Sequence, residues 1–230
     1  MKQERVLYED TDILVCHKPA GIATQTARVG QADMVSEIAN YLKSPYVGLV
    51  HRLDQPVEGI LVFAKNKAAA SKLSRQAAGE AMKKEYLALV CGKNMCRAGE
   101  LTDYLLKDGR TNISRIVPPE VKGAKTARLS YEILRDDNVE AGGPLHIALV
   151  KVCLYTGRHH QIRVQMANAG MPLLGDRKYG DESAREISLR LGIRELALCA
   201  YHLSFDHPGS GKRMQFEIDP EGKAFQMLKP

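Results

Sequence analysis

Gly48-Leu49-Val50-His51-Arg52-Leu53-Asp54 is followed by Gln55-Pro56-Val57-Glu58-Gly59 and then by Ile60-Leu61-Val62-Phe63-Ala64. The stretch reads as strand, loop and buried strand. Branched and aromatic residues favour the pleated conformation, while Pro56 and Gly59 interrupt it. A carboxylate, Asp54, stands where the first strand ends, beside His51 and Arg52. A side chain at a strand end can be rigidly aimed, which suits a nucleophile or a general base. The same residue type also caps turns, so the position alone leaves both roles open.

Working outward, the pattern stays rich in strands. Leu7 to His17 reads as two short strands about a turn at Glu9-Asp10-Thr11-Asp12, closed by Lys18-Pro19-Ala20-Gly21. Val35, Ile38, Ala39 and Leu42 share one side of a helix over 32–43. Asn66 is placed to cap a helix from Lys67 to Glu80. Further strands are expected at Glu85–Val90, Ala127–Leu134 and His146–Tyr155, the last long enough to be central. Ile162–Ala169 is helical and stopped by Gly170 and Pro172, and residues 184–191 offer a short helix. Leu196–Phe205 and Met214–Ile218 complete the strands. The regular βαβ alternation of a parallel sheet is missing, and no repeat or linker divides the chain. The expectation is an α+β fold, one domain over residues 1–230, with a large mixed, mainly antiparallel sheet and flanking helices.

Composition limits the function classes. In 230 residues, 44 % hydrophobic and 26 % charged side chains can bury a core, which excludes a mainly disordered chain. No run approaches the roughly 20 apolar residues of a membrane-spanning helix. The opening Met1-Lys2-Gln3-Glu4-Arg5 has no signal-peptide character, so a cytoplasmic location is expected. Cys16, Cys91, Cys96, Cys153 and Cys199 are scattered, without a C-x-x-C pair, and read as free thiols.

The net charge of +6 is unevenly placed. Residues 1–50 carry five basic and six acidic side chains, and 179–230 carry seven and eight. The excess lies between: nine to four over 52–97, seven to three over 107–135, and four to one over 155–178. Cations gathered on one face would suit a polyanion such as nucleic acid, whereas scattered ones would simply be solvated.

Tyr155-Thr156-Gly157-Arg158-His159-His160-Gln161-Ile162-Arg163-Val164 is the second chemical segment. A long strand ends and a helix opens with polar and basic residues, a combination that favours anions. Arg163 lies in the first turns, where it can meet an anion, pair with a buried carboxylate or face solvent. His159 and His160 do not share one helical face as an i, i+4 metal pair would, and His202 and His207 complete no recognised ligand set. With no P-loop and no Gly-x-Gly-x-x-Gly after a strand, neither a metal nor a nucleotide cofactor is expected.

These segments, in order, resemble the RluA-like RNA pseudouridine synthases. The likeness runs from Asp12-Ile13-Leu14-Val15-Cys16-His17-Lys18-Pro19-Ala20-Gly21 through His51-Arg52-Leu53-Asp54 and Phe63-Ala64-Lys65. It continues through Lys84-Glu85-Tyr86-Leu87-Ala88, Thr156–Val164 and Gly170-Met171-Pro172-Leu173-Leu174-Gly175-Asp176, ending at Leu198 to Pro208. The resemblance implies a bent, mainly antiparallel sheet with a basic cleft, and isomerisation of uridine in RNA without cofactor or metal. By it, Asp54 is the catalytic aspartate, Tyr86 the active-site tyrosine and Arg163 the basic residue that pairs with the aspartate. Arg52, His51, Arg158, His160 and Lys84 fall to RNA binding, with the cations of 65–84 and 107–135 on phosphates. A structured stem-loop of ribosomal or transfer RNA is the expected partner, and a monomer the expected state.

Two positions depart from the family pattern. Gln55-Pro56-Val57-Glu58-Gly59 replaces a charged residue followed by x-Thr-Ser-Gly, and His159 stands where Thr or Lys is usual. Both bear on RNA choice. The family's small N-terminal S4-type RNA-binding domain is not expected, because the catalytic pattern begins by about residue 6. Two rivals make distinct predictions. A catalytically silent RNA-binding module would bind RNA regardless of Asp54, and a hydrolase would release free uracil.

Overall fold

A computed structural model describes residues 3–26, 30–93, 95–138 and 146–226. The chain divides into two compact units, one formed by Met1–Lys84 with Cys199–Pro220, the other by Glu85–Leu198 with Glu221–Pro230. Among the described residues no helix is long and apolar enough to cross a membrane.

In the first unit, β1 (Val6–Glu9) and β2 (Ile13–Lys18) form the expected hairpin about Asp10. Asp10 Oδ1 accepts the Asp12 and Ile13 amides, which is why an aspartate suits this turn. The short β3 (Gly48–Leu49) and β2 flank β4 (Glu58–Ala64), both antiparallel to it. On the edge of β4 away from β2, which β3 shares, β10 (Leu198–Asp206) pairs in parallel at Cys199↔Glu58 and Ala200↔Gly59, and β11 (Arg213–Glu217) closes antiparallel on β10. Every residue of β2 and β4 is buried, so the run Ile60–Ala64 is apolar on both faces as a central strand requires.

Helix α1 (Met34–Leu42) begins at Asp33 and α2 (Lys67–Ala78) at Asn66, each cap side chain accepting the amide three residues on. Ala69 and Leu73, one turn apart, carry α2 onto Ile13, Ile60, Val62 and Phe205. Gly59 opens β4 with φ +141°, and a Cβ there would lie 2.5 Å from Ala200 O and 2.6 Å from Ala200 N. Only glycine admits that approach of β4 to β10.

The second unit runs β5 (Lys83–Gly92), β9 (His146–Leu154), β8 (Lys125–Asn138), β6 (Ala98–Asp108), β7 (Ile113–Ile116), all antiparallel. β9 is central, as its apolar length predicts. Helix α3 (Gln161–Asn168) is buried from Gln161 to Met166. Its glutamines are satisfied inside: Gln165 Nε2 donates to Asp103 Oδ2 (2.7 Å) and Gln161 Nε2 to Gln165 Oε1 (2.9 Å). Helix α4 (Glu182–Arg190) starts at the Asp181 cap, and a short α5 (Lys223–Gln226) follows β11 in the chain.

The α+β class and the mainly antiparallel pairing are those expected from sequence, and the parallel β4–β10 pair makes the pairing mixed. Strands β6 and β7 were not expected. β6 exposes alternate residues and fully buries only Leu105, so its apolar signal is faint.

Candidate active site

The loop between β3 and β4 carries the aspartate. Beyond Leu49 the chain leaves the ladder, and the His51 ring takes over as acceptor, with Nε2 3.3 Å from the Val62 amide. Burial, with the Lys84 charge adding to it, pushes the His51 pKa down to about 3. A neutral imidazole is what an N–H donor needs. Lys84, half-buried, has its own pKa lowered by burial. Arg52 is exposed, with Nη2 donating to Gln25 Oε1 at 2.6 Å. Leu53 is buried, and Asp54 is half-buried, with its carbonyl accepting the Val57 amide at 3.0 Å to close the turn around Pro56.

Lys18 lies directly beneath this turn. Its side chain is fully buried, and Nζ donates to the carbonyls of Pro19 (2.9 Å), Ile22 (2.6 Å) and Gln55 (3.2 Å). Burial draws its pKa down to about 8, against the Asp54 and Glu58 carboxylates, which favour the charged form. At neutral pH an ammonium therefore stands close enough to act on Asp54, and by reciprocity it favours the ionised carboxylate. Glu58, one of the departures from the family pattern, points inward: it is buried, with Oε2 4.0 Å from Nε2 of buried His17.

In the second unit, Tyr86 sits on β5, buried and paired with Val152 of β9. Arg163 is buried on α3. Its Nε and Nη2 donate to the two oxygens of Asp176, each at 2.7 Å, a fork-to-fork pair 5 % and 1 % exposed. Sequence reading left Arg163 a choice between an anion, a buried carboxylate and solvent, and within this unit Asp176 is the carboxylate it meets. Asp176 Oδ1 also accepts the Lys178 and Tyr179 amides. The turn depends on Gly175, at φ +73°, where a Cβ would collide with Glu195 O.

The guanidinium carbon of Arg163 lies 5.0 Å from the centre of the Tyr179 ring. The Tyr179 hydroxyl accepts the Ser114 amide (2.8 Å) and meets His160 Nδ1 (2.7 Å). His160 precedes α3 in the left-handed region, φ 55°, and this lets its ring stack on His159 at 3.7 Å. Burial, with Arg163 adding repulsion, pushes His160 down to about 2; burial and the charges of Lys107, Lys178 and Arg163 take His159 to about 4. Both imidazoles are neutral at pH 7. His159 Nδ1 is 2.8 Å from Ser114 Oγ. Arg158 is exposed between β9 and α3, with Nε donating to Thr126 O at 2.9 Å.

The first unit thus brings His51, Arg52 and Asp54 onto one loop, braced by Lys18. The second gathers Arg163 and His160. Sequence reasoning gave no role to Lys18, Asp176 or Tyr179. Asp176 had a signal: it is the single acid among residues 155–178, hence the local partner for any arginine buried there. Chemically, the first unit supplies a carboxylate on a fixed turn beside a buried cation. The second supplies a guanidinium locked in orientation and a buried phenol.

The model of the RNA pseudouridylate synthase family matches residues 12–168. The chain is 35 % identical over 225 residues to ribosomal large subunit pseudouridine synthase C of Pasteurella multocida, covering 96 % of this chain and 66 % of that protein. It is 33 % identical over 227 residues to the protein of the same name from Haemophilus influenzae, with 96 % and 67 % covered. Among solved structures it is similar to human RNA pseudouridylate synthase domain containing 1, with TM-score 0.72 and 25 % identity over 94 % of this chain and 82 % of that one. The matched stretch contains Lys18, Asp54, Tyr86 and Arg163, and the chain belongs to the RNA pseudouridylate synthase family.

Proposed function

We propose that this chain isomerises uridine to pseudouridine in RNA, with Asp54 as the catalytic carboxylate. The observation that carries the reading is the seat of Asp54: a turn fixed by main-chain bonds, with the buried Lys18 ammonium acting on the carboxylate. In the reaction the N1–C1′ glycosidic bond breaks, the base turns, C5 bonds to C1′, and the C5 proton is released as N1 regains one. The net composition is unchanged, so the stoichiometry calls for no co-substrate. Asp54 either adds to the ribose or assists loss of a ribose proton. The family resemblance assigns Tyr86 to the target base and Arg163 to keeping the carboxylate ionised.

A stacked base is inaccessible to a carboxylate on a turn, so the target nucleotide is flipped out. Arg52, exposed and next but one to Asp54, holds that nucleotide or the strand it leaves. Arg158 and Lys84 serve phosphates, while neutral His51, which accepts the Val62 amide, and neutral His160, bonded to the Tyr179 hydroxyl, contribute by holding the loops that bear them. The names of the bacterial relatives point to ribosomal RNA as the substrate class. Within it, the proposed target is a structured stem-loop, met by a cytoplasmic monomer in which residues 1–230 serve as one catalytic domain.

Release of tritium from [5-³H]uridine-labelled ribosomal RNA tests the reading. Wild type releases tritium and Asp54→Asn does not. Tight RNA binding without release by either protein would favour the silent binding module and refute the proposal.

A further inference from the structure

Thr24 lies 30 positions before Asp54 in the chain and belongs to none of the segments that pointed to function. Its side chain is 3 % exposed, and its hydroxyl is committed at both ends to one residue: Oγ1 donates to Leu53 O at 2.8 Å and accepts the Leu53 amide at 3.1 Å. Leu53 is buried and lies outside any strand, so its main-chain groups have no ladder to join. A single hydroxyl therefore satisfies both polar groups of the residue before Asp54, as a neighbouring strand would.

The residue after Asp54 is gripped by the same segment. Gln55 O accepts from Lys18 Nζ (3.2 Å) and from the Gly21 amide (2.9 Å), and Gln55 Nε2 donates to Gly21 O (3.0 Å). The clamp is itself anchored. The Val35 amide donates to Thr24 O (3.2 Å) and Met34 to Ala23 O (3.0 Å), while Asp33 caps α1 and accepts the Thr26 amide (2.7 Å). Helix α1 thus fixes residues 23–26, and Thr24 transmits that fixity to Leu53.

We propose that Thr24 is a positioning residue: through Leu53 it sets the direction from which Asp54 projects, and so the alignment of the carboxylate with its target. The proposal rests on the reading of Asp54 as the catalytic carboxylate. A misplacement of about 1 Å at a reacting group can cost on the order of 100-fold in rate. Thr24→Val keeps shape and volume but removes both bonds, and Thr24→Ser keeps both.

The test measures single-turnover pseudouridine formation and RNA affinity for wild type, Thr24→Val, Thr24→Ser and Asp54→Asn. The account predicts a rate at least about tenfold lower for Thr24→Val, with RNA affinity within about twofold of wild type, and recovery of most of the rate by Thr24→Ser. A merely structural role would lower the amount of folded protein without this split. If Thr24→Val does not fold, Thr24→Ala, which leaves room for water at Leu53, is read in its place. Wild-type rate in the substituted protein, a loss matched by lost affinity, or failure of Thr24→Ser to recover activity would overturn the proposal. Asp54→Asn separates the two readings. If it is inactive while Thr24→Val is fully active, only the Thr24 proposal falls; if Asp54→Asn turns over normally, both fall.

Discussion

Replacing Asp176 by alanine removes the carboxylate against which a buried arginine is neutralised, and the size of the effect follows from the geometry. Both Arg163 contacts are 2.7 Å, the two side chains are 5 % and 1 % exposed, and the same carboxylate accepts the Lys178 and Tyr179 amides. Withdrawing one member of a buried ion pair costs about 3–5 kcal/mol, because the remaining charge keeps its desolvation cost. The Tyr179 ring, 5.0 Å from the guanidinium, still offers its face and holds the loss nearer the lower figure. For a chain of this size such a loss lowers Tm by roughly 6–20 °C. Asp176→Asn keeps one acceptor but turns an N–H₂ toward the guanidinium, and about 1.5–3 kcal/mol is expected. Urea unfolding followed by far-UV circular dichroism gives both numbers. A loss below about 1 kcal/mol for Asp176→Ala would show that the pair does not neutralise Arg163 in the folded protein, and the account of the second unit would fail.

Other predictions concern single groups. Lys18 has a folded pKa of about 8 against 10.5 for an ordinary lysine, so between those values the unfolded chain binds the extra proton and stability rises with pH. From pH 8 to pH 10 wild type gains about 2 kcal/mol relative to Lys18→Met, whose unfolding lacks this slope; parallel pH profiles would contradict the assignment. His51 and His160, held neutral by burial, keep constant ring-carbon chemical shifts from pH 8 to pH 5, and a midpoint near 6.5 for either would place it in solvent. Gly59→Ala forces a side chain at φ +141° against the Ala200 main chain and costs several kcal/mol, measurable as lost soluble protein or a collapsed urea midpoint.

Much of the fold was legible because its signals are local. The Asp10 turn, the Asn66 cap, the apolar run Ile60–Ala64 and the Gly170–Pro172 stop each act through neighbours within a few residues. Strands β6 and β7 escaped because their side chains alternate toward solvent and bury little, so pairing with β8 rather than burial holds β6 in place. The site divides in the same way. Asp54 could be singled out as a carboxylate beyond an apolar run, although the strand expected to end at it stops at Leu49 and leaves it on a loop, and the family resemblance assigned it a role along with Tyr86 and Arg163. The residues that brace them could not be read locally. Thr24 is 29 positions from Leu53, Lys18 is 37 from Gln55, and Asp176 is 13 from Arg163. Nothing in a threonine's neighbours reveals that both lone pair and proton are spent on one distant backbone. The histidine pair shows the converse: spacing along a helix put the rings apart, but His160 lies before the helix in the left-handed region, and the rings stack.

The central claim is that the base stays in the RNA and changes its attachment at an aspartate-dependent site. The direct measurement is complete digestion of treated ribosomal RNA to nucleosides, with pseudouridine, uridine and free uracil quantified after wild type and after Asp54→Asn. The account predicts pseudouridine formed at the expense of uridine with wild type only, and no free uracil with either protein. Free uracil released by wild type, or pseudouridine formed equally by Asp54→Asn, would contradict it.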